Sequence, residues 1–151
     1  MGIKEHIRQG KPFRSEFHKA HINVLFTASW FGQQSAQVLK PLNISWQQFN
    51  ILRILRGLHP EPATISTLKE RMIDKASNAS RLVDKLKRKG MVSREYCEQD
   101  RRRVHIRLTP QGEELLQKAS YKMEEELTGC MEHISLEEAA ELNRILDKIT
   151  S

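Results

Sequence analysis

From Ser15 to Lys40 the chain carries no proline, and its apolar residues return at helical intervals. Phe17, Ala20, Val24 and Phe31 fall on one line, with Ile22, Leu25, Phe26 and Trp30 widening it. Spacings of three and four residues mark one face of an α-helix, so the pattern predicts a long first helix ended by Pro41. A helix apolar over most of its circumference needs cover on several sides. In "SWQQFNILRIL", Ser45 and Gln48 make a capping box, each side chain satisfying an orphan backbone N–H of the other. Phe49, Leu52 and Leu55, or Ile51 and Ile54, supply its core face, and Gly57 is expected to close it. After the loop "HPEP", Thr64 is expected to cap a third helix striped by Ile65, Leu68 and Met72. Asp74 is expected to cap a fourth, "KASNASRLVDKLKRKG", burying Ala79, Leu82, Val83 and Leu86 and stopping at Gly90 in the left-handed conformation.

The period then changes. Met91 to Cys97 and Val104 to Leu108 alternate as two antiparallel strands, with Glu98 to Arg103 as the turn. Thr109 caps a long helix with Pro110 at its first position, where the missing N–H costs nothing. Leu116, Ala119, Met123, Leu127 and Cys130 recur along it. Ser135 and Glu138 form another capping box, opening a last helix striped by Ala139, Leu142, Ile145 or Leu146, and Ile149. The expected fold is mainly α with a small two- to three-stranded antiparallel wing: a winged helix-turn-helix, whose second helix is the one that lies in a DNA major groove.

Length and charge sharpen this. A chain of 151 residues fits one compact unit better than two domains with separate cores. Hydrophobic residues at 38% and charged ones at 29% are ordinary for a globular protein and do not indicate disorder. The net charge of +6 is unevenly placed: Lys+Arg against Asp+Glu run 8 to 3 over residues 1–63, 13 to 6 over 64–109 and 4 to 10 over 110–151. A basic middle followed by an acidic end suggests a footprint for a polyanion on one part of the molecule.

The segments "LNISWQQFNILRIL", "PATISTLKERM", "NASRLVDKLKRKGMVSR" and "DRRRVHIRLTPQG" together resemble the MarR family of bacterial transcriptional regulators, across essentially the whole chain. The last carries the family pattern Asp-x-Arg followed by Leu-Thr-x-x-Gly, at Asp100, Arg102, Leu108, Thr109 and Gly112. The resemblance implies one unit, 1–151, with residues about 41–109 as the DNA-binding part and residues about 1–40 and 110–151 as N- and C-terminal dimerisation helices. It further implies a homodimer on double-stranded DNA with a pseudo-palindromic operator, most simply a repressor released by a small-molecule effector. Terminal stripes larger than a small winged domain can cover agree with a partner surface.

Within that frame the reading helix offers Lys75, Ser77, Asn78, Ser80, Arg81 and Lys85 to DNA. Asn matches adenine and Arg matches guanine through paired hydrogen bonds, whereas lysines such as Lys75, Lys85 and Lys87 neutralise phosphates. The wing offers Asp100, Arg101, Arg102 and Arg103. By resemblance Arg102 enters the minor groove or grips the backbone, with Asp100 pairing to its side chain, and Arg101 and Arg103 take phosphates. A small residue often follows the matched arginine in the family, where this chain has Arg103. An ion pair between Arg81 and Asp84 is the structural alternative for Arg81.

Other chemistry finds less support. His18 and His21 are three apart beside Glu16 but lack a third near ligand, so no metal or cofactor is expected. Cys97 and Cys130 have no disulfide or metal spacing, which fits a reducing compartment. Neither lies near the N-terminus, where peroxide-sensing members of the family carry their reactive cysteine; Cys97 beside the basic wing is the candidate if a thiol responds. Met123, Met131 and the aromatics of the first helix are candidates to line an effector cavity, or simply to pack. No paired carboxylates, nucleophile elbow or glycine-rich phosphate loop suggests an enzyme. No signal-peptide pattern or membrane span is expected, and the location expected is cytoplasmic. The alternatives are a thiol-redox-responsive or activating regulator of the same fold, or a winged-helix protein-interaction module without DNA binding.

Overall fold

A computed structural model describes residues 1–151. Its elements are α1 (Ile3–His6), α2 (Glu16–Leu39), α3 (Trp46–Leu58), α4 (Ile65–Arg71), α5 (Ala79–Arg88), β1 (Val92–Tyr96), β2 (Val104–Leu108), α6 (Pro110–Met131) and α7 (Leu136–Thr150). The expected order is present, with the short α1 added in front. There Ile3 is buried and His6 packs on Phe26 of α2, ring centroids 5.1 Å apart.

Helix starts follow the side chains that cap them. Ser15, Ser45, Thr64, Thr109 and Ser135 each accept a backbone N–H three residues on, and Ser45–Gln48 and Ser135–Glu138 are complete capping boxes. Stops are less predictable. Gly57 does not close α3, which runs on to Leu58, because a glycine inside a helix costs about 1 kcal/mol and neighbouring Leu55 and Leu58 still pack on the core. Gly90 does end the fourth long segment, at φ +76°. The N–H of Gly90 donates to Lys87 O and that of Met91 to Leu86 O, the paired bonds of a Schellman turn.

β1 and β2 pair antiparallel, Val92 opposite Leu108 and Tyr96 opposite Val104. Ala63 adds a third rung by exchanging backbone bonds with Ile106. The buried core runs from Leu39 to Ala119, joining Ile51 and Leu52 of α3, Leu68 of α4, Val83 and Leu86 of α5, and Ile106 of β2. Leu116 and Ala119 bring in only the first half of α6. Of the 24 residues of α2 only Leu39 is buried, and α7 buries none. The core is therefore that of the winged part, and the outer helices leave Phe17 (89% exposed), Leu25, Leu136 (86%) and Ile149 on the surface. No helix is long and apolar enough to cross a membrane.

Candidate nucleic-acid interface

The start of the reading helix differs from the sequence expectation. α5 begins at Ala79, not at Lys75, and its cap is Asn78, whose Oδ1 accepts the N–H of Arg81 at 3.1 Å. Asp74 instead closes the preceding turn: one carboxylate oxygen accepts Ala76 N–H at 3.1 Å and the other Gln47 Nε2 at 3.4 Å. These bonds, the backbone N–H of Ala76 foremost, hold the Asp74 carboxyl below its ordinary pKa. Asn50 of α3 takes part from below, its Oδ1 accepting Ile73 N–H at 2.9 Å. Both cap candidates are good N-cap types; contacts from α3 assign the turn to Asp74 and the helix to Asn78.

Lys75 and Ser77 thus sit in the turn rather than on the helix. Lys75 Nζ bonds Glu70 O at the end of α4, and the Ser77 hydroxyl, expected to meet DNA, is instead buried in the turn without a hydrogen-bond partner. Ala79, Val83 and Leu86 bury one face of α5, leaving Arg81, Lys85 and Arg88 exposed along another at helical spacing. Arg81 has no partner in Asp84. That carboxylate is taken by Arg94 of β1, a residue the sequence reading passed over, so the wing is tied to the reading helix by an ion pair.

At the wing tip Asp100 behaves differently from the expectation as well. It does not grip the guanidinium of Arg102; its Oδ1 accepts the backbone N–H of Arg102 at 3.0 Å, while Asp100 O accepts Arg103 N–H at 2.9 Å. A carboxylate two residues before an N–H reaches it without any long side chain having to order, which is why Asp favours such turns. Cys97 N–H donates to Arg103 O at 2.9 Å and closes the loop. Arg101, Arg102 and Arg103 are exposed, and none takes part in an ion pair. Three free guanidiniums are therefore held on a loop with a fixed backbone, beside an exposed basic helix face.

A family model described as "MarR family" matches residues 44–104, the span from the start of α3 to the start of β2. Over that span the chain is similar to the MarR family. Solved structures extend the likeness in fold to nearly the full length. A MarR-like transcription regulator from Bacillus cereus superposes with a TM-score of 0.80 at 22% identity, covering 89% of this chain and 96% of that one. An organohalide-sensing RdhR regulator in its 2,4-dichlorophenol-bound form gives 0.84 at 23%, covering 93% and 85%. MepR of Staphylococcus aureus, solved as a DNA complex, gives 0.77 at 23%, covering 84% and 93%.

A second feature of this MarR-type fold is a cleft of about 700 Å³ between α2, α3 and α6. The sequence-selected Phe31, Met123 and Met131 line it, whereas Trp30 lies in a separate groove. Missed from sequence were Trp46, Phe49, Arg53 and Arg56 on α3 and Ile73 from the turn before α5. The Arg53 guanidinium stands 5.9 Å from the centroid of the Phe49 ring. Arg56 reaches Ser120 Oγ at 3.4 Å and Glu113 at 3.9 Å. The signal for these arginines was two cations on a helix that also buries Ile51, Leu52 and Leu55. Of the thiols, Cys130 is pushed above its ordinary pKa, by burial first and by Glu126 beside it, and stays protonated.

Proposed function

We propose that the chain is a homodimeric, sequence-specific DNA-binding regulator of transcription, repressing from a pseudo-palindromic operator and released by a small molecule in the α2–α3–α6 cleft. The observation that carries this is the Asp84–Arg94 ion pair, which couples the exposed basic face of α5 to the wing and its three unpaired arginines. Arg81 reads a base edge, guanine being its best match, and Ser80 beside it a base or phosphate. Asn78 serves first as the cap that orients this turn, with its amide N–H₂ left to meet DNA. Lys75 and Lys85 bind the backbone on either side. Arg102 enters the adjacent minor groove, and Arg101 and Arg103 hold the phosphates that flank it.

Two copies making about four phosphate contacts each neutralise about eight, so log affinity falls against log salt with a slope near −7. Fluorescence anisotropy with a duplex from just upstream of the coding sequence measures it. Arg102→Ala makes the slope shallower by about two in the dimer; a flat salt dependence of the unsubstituted protein contradicts the proposal. For release, an apolar cleft where Arg53 is unpaired, while Arg56 is shared with Glu113 and Glu124 stands on the α6 wall, suits an aromatic body bearing one weakly acidic group on the Arg53 side. The phenol bound by the RdhR relative makes 2,4-dichlorophenol a suitable first probe. It is expected to raise the melting temperature and weaken duplex binding, and to do neither in Arg53→Ala, which removes an exposed cleft residue outside the core.

A further inference from the structure

Tyr96 is the last residue of β1, and neither its chemistry nor its place was evident from the strand pattern. Alternate residues of a strand share a face, so Val92, Arg94 and Tyr96 point the same way. The identity of that face is fixed twice: Val92 is buried in the core with Val83 and Leu86 of α5, and Arg94 pairs with Asp84 of α5. Tyr96 therefore points to the side of the wing that carries the reading helix. Yet it is 69% exposed, so neither helix nor strand covers it.

Its height along α5 also follows. After Gly90 the chain reverses, and Arg94 lies beside Asp84, so β1 runs back towards the helix N-terminus. Two further strand residues advance at most about 6.6 Å towards that end, the rise of about four helical residues, so Tyr96 lies between the levels of Asp84 and Ser80. On the other side the strand passes through Cys97 into the arginine loop. A large amphipathic side chain thus stands in the gap between the helix front and the wing tip.

We propose that Tyr96 is a DNA contact, its phenol O–H donating to a backbone phosphate oxygen between the groove taken by α5 and the one reached by Arg102. This rests on the DNA-binding role proposed above. A neutral donor is distinguishable from the arginines around it. It adds a hydrogen bond to a charged acceptor but releases no counterion, so it contributes to affinity without contributing to the salt slope.

The test is the salt titration of the upstream duplex with Tyr96→Phe, which removes only the hydroxyl. Affinity of the dimer, which loses two such bonds, is expected to fall about a hundredfold with the slope unchanged, in contrast to the shallower slope of Arg102→Ala. Hydroxyl-radical oxidation read by mass spectrometry gives a second measurement on the unsubstituted chain. Duplex is expected to protect Tyr96 but not Tyr121, which is similarly exposed at 64% but lies on α6. Unaltered affinity in Tyr96→Phe, or equal oxidation of Tyr96 with and without duplex, overturns the contact while leaving DNA binding intact. A changed slope overturns the neutral-donor role. If the unsubstituted protein ignores duplex even at low salt, the DNA-binding role fails and the contact fails with it.

Discussion

A methyl group on Gly112 has nowhere to go. An ideal Cβ there lies 2.0 Å from Met91 O and 2.9 Å from Leu108 Cδ1, so only glycine lets the first turn of α6 press against the root of the wing. Around it Thr109 Oγ1 accepts Gly112 N–H at 3.0 Å and donates to Gly90 O at 2.6 Å. The Leu-Thr-x-x-Gly pattern is thus a packing device that fastens helix to hairpin. Gly112→Ala is expected to destabilise by about 3 kcal/mol or more, since the obstruction is backbone that cannot rotate aside. Urea melts measure it, with Gly129→Ala as control, because nothing stands within 4 Å of a Cβ at that glycine of α6. Asp74 carries a pH-dependent prediction at the same scale. Its folded pKa lies below the ordinary 3.8, so its stabilising effect is complete above that value and is lost as pH falls through the lower folded pKa. The melting temperature of the unsubstituted protein is expected to exceed that of Asp74→Ala near neutral pH. The two should converge in acid below pH 3.8, and a constant gap across that range contradicts the role.

Elements were legible where the signal is local, and misread where two local signals compete. Capping boxes at Ser45 and Ser135, the proline at the start of α6 and the left-handed Gly90 all act within a few residues, and each stands where the pattern puts it. The start of α5 does not, because Asp74 and Asn78 are equally good caps in sequence. The choice belongs to Asn50 and Gln47, more than 20 residues away on α3. The wing's arginines were legible as a cluster of unpaired like charges, but their tie to α5 was not. Arg94 and Asp84 are ten apart with a helix end and a chain reversal between them. This tie sets the geometry of helix against wing more than stability, since a part-exposed ion pair is worth about 1 kcal/mol or less. Asp84→Asn is accordingly expected to leave the urea midpoint within that margin while lowering operator affinity by about tenfold, through loss of the preset angle between helix and wing. Exchanging the charges, Asp84→Arg with Arg94→Asp, is expected to recover most of that affinity. Equal loss in the single and exchanged variants contradicts a positioning role.

At the scale of the whole molecule, charge and apolar surface are segregated along the chain. Residues 64–109 hold a net +7 and share the buried core with α3; residues 110–151 hold −6 and, with α2, most of the uncovered apolar side chains. The acidic half disfavours contact with DNA, and the apolar faces of α2 and α7 are too extensive to leave in water. Phe17, Leu25, Leu136, Leu142, Ile145 and Ile149 are all exposed, so the single chain leaves them uncovered. In the homodimer proposed above, a second copy would cover them with the same surface by two-fold symmetry and set two α5 helices on one duplex. Leu142→Glu with Ile149→Glu separates this from folding, because neither residue belongs to the buried core. Circular dichroism is expected to keep its helical signal while light scattering reports half the mass. Operator affinity is expected to fall at least about a hundredfold, since each winged part then binds without the effective concentration its twin supplied. A double variant that stays dimeric places the subunit contact elsewhere. One that becomes monomeric and keeps full affinity shows that a single winged part suffices for DNA.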